Sequence, residues 1–177
     1  LPRRDALPTA YTISLNDPAL MERDTVTATA RGFRILKCKL TGEGDIARIE
    51  AVRRGAPHVR LIVDANESWQ GRDIAAEAAR LGELGVEMIE PVRHGFEDSL
   101  EGVPSPVPFC ADESCQDRAD LPRLGAFEAI NIKLDKAGGL TEALALRAQA
   151  QAMGFRVMVG CMLSTSLGIA PAFLAAQ

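Results

Sequence analysis

The sequence predicts a parallel α/β fold of the (β/α)8 (TIM-barrel) type, incomplete, with about seven βα units. Three observations predict it. Short apolar, strand-like stretches alternate with helical stripes along the whole chain. Five of those stretches, ILKCKL, LIVDAN, VEMIEP, FCADES and INIKLDK, carry a lysine or carboxylate at or near their ends. From Lys39 onward these charges recur every roughly 20 to 26 residues, about one strand, one helix and two short loops. An open, doubly wound sheet is the competing architecture, but no G-x-G-x-x-G or Walker pattern follows an early strand.

The elements follow in order. Tyr11 to Leu15 alternates and is β-branched, and Asp17-Pro18 then offers an N-cap with proline at the first helical position. Helix through Met21 and Val26 ends at Gly32, and Phe33 to Leu40 is the second strand. Ile46, Ile49 and Val52 make a helical stripe over Asp45 to Arg54, closed by Gly55 and Pro57. The nearly continuous apolar run Val59 to Asp64 is a strand covered on both faces. Arg72 to Leu84 places Ile74, Ala78, Leu81 and Leu84 on one stripe, with Gly85 leading into the strand Val86 to Glu90. Prolines exclude a central strand until Val107, after which Val107 to Ala111 is expected as strand, Arg118 to Leu124 as a short helix, and Ala129 to Leu134 as strand. Gly138-Gly139 precede an Ala-rich helix over Leu140 to Met153; a strand over Arg156 to Val159 and a last helix from near Ser166 complete the chain.

Composition narrows the function. With 177 residues, 47% of them apolar and 25% charged, the chain has the length and make-up to bury one sizeable core, which excludes disorder. A net charge of −4 with dispersed Lys and Arg gives no reason to expect nucleic acid. No run of eighteen apolar residues and no signal-like start occur, so no membrane partner is expected and the cytoplasm is the expected compartment. Cys38, Cys110, Cys115 and Cys161 lack paired spacing and read as reduced core residues, Cys161 excepted because it follows a strand end. His58 and His94 read as solvent-facing. The absent initial methionine and the ending PAFLAAQ lead to the expectation of a fragment.

In a parallel array, the carboxyl ends of successive strands share one rim. Asp64, Glu90 and Asp112 fall at three consecutive strand ends, an oxygen-donor set suited to Mg²⁺. Lys37 and Lys39 share one strand face, Cys38 the other. Two ammonium groups so close are expected to lower at least one pKa toward the range of a base; the plainer reading is a lysine pair guarding an edge strand. Lys133 lies on the sixth strand, opposite the second in a barrel. A carboxylate substrate held between them by the metal would lose its α-proton to one lysine and regain one from the other, through an enediolate: a 1,1-proton transfer. The same parts could run a β-elimination or a cycloisomerisation.

Lys37-Cys38-Lys39, Val63 to Asn66, Ile89-Glu90-Pro91, Ala111 to Ser114, and Asn131 to Leu134 followed by Gly138-Gly139 resemble the ordered signature of the enolase superfamily, muconate-lactonising subgroup. Within it, Thr9 to Ile13 and Val159 to Ser166 resemble dipeptide epimerases of the L-Ala-D/L-Glu type. The resemblance implies Mg²⁺ on Asp64, Glu90 and Asp112, Lys39 and Lys133 as opposed bases, and Lys37 stabilising the enolate. Thr12, Cys161, Met162 and Ser164 would contact the small-molecule substrate. It also implies a capping domain, for which residues 1–10 would be the linker, and an Asp-x-Asp on an eighth strand; residues 11–177 would then be a partial barrel domain, expected to be inactive alone. A homo-oligomer is expected by analogy. Muconate-type cycloisomerase, o-succinylbenzoate synthase with N-acylamino acid racemase activity, and a non-catalytic truncated barrel stay as alternatives.

Overall fold

The structure is a computed structural model that describes residues 6–92 and 100–177. The seven predicted strands are present and every strand pairing is parallel, in two sheets. His94 lies outside the described residues. The chain divides into two compact units.

The first unit carries β1 (Ala10–Ile13), α1 (Pro18–Ala30), β2 (Ile35–Lys39), α2 (Asp45–Gly55), β3 (Arg60–Asp64), α3 (Ile74–Glu83) and β4 (Val86–Glu90). Its sheet runs in the order β1-β2-β3-β4, so β2 is interior and its lysines are not guarding an edge. Strand β1 stops at Ile13 rather than Leu15 because the chain turns into a cap: the Asp17 carboxylate accepts from the Ala19 and Leu20 amides at 3.0 and 3.1 Å, with Pro18 behind it. Leu36, Cys38, Leu61, Val63, Ile89 and Trp69 are fully buried, each large apolar side chain contributing about 1.5–3 kcal/mol. Arg53, on α2, donates to the carbonyls of Val59, Leu84 and Gly85 at 2.7 to 3.1 Å and ties α2 to the chain entering β3 and β4.

The second unit carries β5 (Cys110–Ala111), β6 (Ala129–Ile132), α4 (Leu134–Ala137), α5 (Leu140–Ala152), β7 (Arg156–Val159) and α6 (Ser166–Ala175), with sheet order β5-β6-β7. All four residues of β6, the central strand, are buried, as a strand covered on both faces requires. The expected strand over Val107 to Ala111 shrinks to two residues, since Pro106 and Pro108 have no N–H to give. The expected helix over Arg118 to Leu124 is a single 3-10 turn, Leu121–Arg123, because the Asp120 carboxylate accepts from the Gln116 and Asp117 amides and closes a turn before it, and Pro122 sits within it. Leu134, expected to end a strand, instead opens the one-turn α4, which stops at Gly138 with φ +80°.

Among the described residues no helix is long and apolar enough to cross a membrane. Cys38, Cys110 and Cys115 are buried free thiols, and Cys161 is exposed. His58 is exposed, as expected.

Candidate acid/base and metal site

Strand register places the first unit's charges. Lys39 pairs with Asp64 and Asp64 with Glu90, so one row crosses the ends of β2, β3 and β4. Lys37 sits two residues back, and its ammonium lies 2.8 Å from Asp64 Oδ2 and 2.7 Å from Glu90 Oε2. Lys39 Nζ donates to the same Asp64 oxygen at 2.7 Å. Both carboxylates are buried, Glu90 completely. The chain reverses immediately after Ala65, with Asn66 and Glu67 both in the left-handed region (φ 46° and 59°). That turn aims the Asn66 amide at Asp64 Oδ1, 3.0 Å away, and fixes the carboxylate's second oxygen.

The loop after β2 is anchored from below. Asp45, buried at the start of α2, accepts from the Thr41 and Gly42 amides and from Trp69 Nε1 at 2.8 to 3.0 Å. It therefore links the loop that follows Lys39 to the loop that follows Asp64.

Electrostatics at Lys37 run opposite to a lowering by its lysine neighbour. Burial alone would lower the Lys37 pKa, but the Glu90 and Asp64 carboxylates outweigh it and hold the group above its ordinary value. The repulsion argument fails for Lys37 because the neighbouring strands place two anions within 2.8 Å of its ammonium. Asp64 shows the converse: burial would raise it, yet Lys37 and Lys39 hold it below the usual carboxylate range.

In the second unit Asp112 follows β5, and Lys133 follows β6 at the entrance to α4. Lys133 Nζ donates to Asp112 Oδ2 at 2.6 Å, while Lys136 Nζ donates to Asp112 Oδ1 at 2.8 Å. Burial would raise Asp112, but Lys136 and Lys133 lower it. Lys136 is outside the sequence-predicted set; its three-residue offset from Lys133 signals it only once α4 is known to be helical.

Of the substrate-contact candidates, Thr12 is exposed on β1 and pairs in register with Lys37. Cys161, Met162 and Ser164 lie in the exposed segment between β7 and α6.

No cluster of three carboxylate, thiol or imidazole groups gathers as a ligand set among the described residues. A donor pair does. Asp64 and Glu90 each direct one oxygen to the Lys37 ammonium, which shows that the two side chains can share one cation, and carboxylate oxygens are the donors a hard divalent ion takes.

The description of the enolase C-terminal domain-like family fits residues 21–176. The chain is 46% identical over 166 residues to the L-Ala-D/L-Glu epimerase of Escherichia coli, covering 93% of this chain and 52% of that protein. It is 44% identical over 170 residues to an N-acetyl-D-glutamate racemase of Pseudoalteromonas, covering 95% and 53%. The chain thus spans about half the length of the curated relatives it matches. Among solved structures it resembles an L-Ala-D/L-Glu epimerase (TM-score 0.90, 45% identity, 94% of this chain and 53% of that one). It also resembles an Agrobacterium tumefaciens enolase-family member with bound sodium and L-Ala-L-Glu (TM-score 0.91, 48% identity, 96% and 52%). A Cytophaga hutchinsonii dipeptide epimerase complexed with Mg and D-Ala-L-Val matches at TM-score 0.87 and 28% identity, covering 98% and 50%. The α/β fold of parallel strands expected from the sequence is that of these neighbours.

Proposed function

Because the chain belongs to the enolase C-terminal domain-like family, we propose that it carries the acid/base centre of a Mg²⁺-dependent dipeptide epimerase of the L-Ala-D/L-Glu type. The observation that carries this reading is the pairing of lysine with buried strand-end carboxylate in each unit: Lys37 and Lys39 with Asp64 and Glu90, and Lys133 with Asp112. The order of these motifs along the family signature supports their acting on one substrate.

In this reading Asp64, Glu90 and Asp112 hold the ion. Bound there, it supplies the positive charge that makes a carboxylate's α-proton removable. Lys39, as the neutral amine, takes the Cα proton from one face; Lys133, as the ammonium, delivers a proton to the other, inverting the carbon, and the reverse reaction exchanges the roles. Lys37, cationic and shared between two carboxylates, orients them and does not take the proton. Thr12, Cys161, Met162 and Ser164 would contact the dipeptide. Residues 11–177 would be part of an enolase-type C-terminal barrel domain, and residues 1–10 a linker to it.

Incubating the full-length protein that carries this chain with L-Ala-L-Glu and Mg²⁺ in D₂O tests the reading. Deuterium should enter at the Glu Cα, and Lys39→Ala and Lys133→Ala should each abolish epimerisation. A protein that binds Mg²⁺ yet exchanges no dipeptide α-proton ends it. The 44% identity to a relative named N-acetyl-D-glutamate racemase favours a second reading with the same chemistry on an N-acylated amino acid. Exchange into N-acetylglutamate but not into Ala-Glu selects that one.

A further inference from the structure

Lys133 and Lys136 both meet Asp112, but they are held differently. Lys136, on α4, has a side chain only 13% exposed. Its ammonium donates to Asp112 Oδ1 at 2.8 Å, to the Asn131 carbonyl at 2.9 Å and to the Asp112 carbonyl. A lysine ammonium has three N–H donors, so all three are engaged, two of them by backbone that cannot move without moving β6 or the end of β5. Lys133 has one such bond among the described residues, to Asp112 Oδ2 at 2.6 Å. The first unit repeats the pattern: Lys37 bridges two carboxylates, whereas Lys39 meets Asp64 alone.

We propose that Lys136 is a positioning residue. It holds Asp112 by Oδ1 and by its carbonyl, so that Oδ2 alone is presented to Lys133 and to a cation. The inference rests on the reading above, in which Asp112 is a ligand. An aspartate carboxylate turns about two side-chain bonds; one oxygen pinned to a backbone-anchored ammonium fixes both before any ligand arrives. Ligand carboxylates fixed by such outer contacts bind metal more tightly than free ones. The two lysines of the NIKLDK segment thus divide the work: Lys136 orients, and Lys133, held by one bond, is free to move a proton.

Calorimetric titration of MgCl₂ into the chain and into Lys136→Met separates this from simple charge. Removing a cation beside an anionic site should by charge alone tighten Mg²⁺ binding. Loss of positioning should weaken it, by about 10- to 100-fold. Weakening in Lys136→Met, with Lys133→Met binding at least as tightly as the parent, is the expected result. Lys136→Met binding Mg²⁺ as tightly as the parent, or more tightly, overturns the proposal while leaving the ligand assignment standing. A parent chain that binds no Mg²⁺ overturns both. Should Lys136→Met not fold, the neutral but polar Lys136→Gln carries the same test of sign.

Discussion

Lys37 shows how much a side chain's chemistry depends on strands it does not belong to. Its two anionic partners lie 27 and 53 positions further on, through Asp64 and Glu90, and the K-x-K spacing alone points the other way. Removing it should leave two buried carboxylates facing one another. Lys37→Met is therefore expected to lose about 3–5 kcal/mol in urea unfolding. Lys39→Met should lose about 1 kcal/mol or less, since Lys39 is 35% exposed and partly screened. Equal losses would refute the assignment of Lys37 as the bridging cation. Cys38, between them, gives a pH prediction. Burial, only partly offset by Arg53, pushes its thiol up from 9.0 to about 12. A group whose pKa is raised on folding contributes stability that is complete below its unfolded value and lost as pH rises toward the folded one. Stability should fall from about pH 9 upward, by about 1–2 kcal/mol at pH 10 from this thiol. Melting temperatures of the parent and Cys38→Ala between pH 7 and 10 check it: the alkaline loss should be smaller in the variant.

At the scale of elements, boundaries set by a local cap were legible and boundaries set by competing side-chain bonds were not. Asp17-Pro18 names the start of α1 without any tertiary information, and the cap forms where it should. The 3-10 turn after Asp120 and the short α4 depend on which N–H donors the Asp120 and Asp112 carboxylates accept from, which no periodicity reveals. Lys136 was missed for that reason. The loop after β2 offers a test of how tightly such a boundary is built. Gly42 and Gly71 both have positive φ, +88° and +71°, but a Cβ on Gly42 would stand 2.7 Å from the Ser68 carbonyl oxygen, whereas nothing lies within 4 Å of one on Gly71. Gly71→Ala should cost only the left-handed conformation, about 1–2 kcal/mol. Gly42→Ala should cost distinctly more, because the clash forces apart the two loops that Asp45 joins through Gly42 and Trp69. Chemical unfolding of the two variants gives the comparison directly; a Gly42→Ala no worse than Gly71→Ala would mean that the loops give way easily.

For the molecule as a whole, the alternation of strand and helix and the charges at strand ends were readable because both follow from local periods of two and 3.6. What charge each rim residue meets was not, since every such contact links residues at least 21 positions apart, as in Lys133 with Asp112. The proposed function adds a claim that neither unit can make alone: Asp112 belongs to the same ligand set as Asp64 and Glu90. If so, Mg²⁺ should stabilise the chain against urea by about 2.7 kcal/mol at an ion concentration 100-fold above its Kd. The gain should fall sharply in both Asp64→Asn and Asp112→Asn, although the two residues belong to different compact units. Taking the difference with and without MgCl₂ for each variant removes the cost of the substitution itself. If Asp112→Asn kept the full Mg²⁺-dependent gain while Asp64→Asn lost it, the ion would belong to Asp64 and Glu90 alone, and Asp112 would act only as the partner of Lys133 and Lys136.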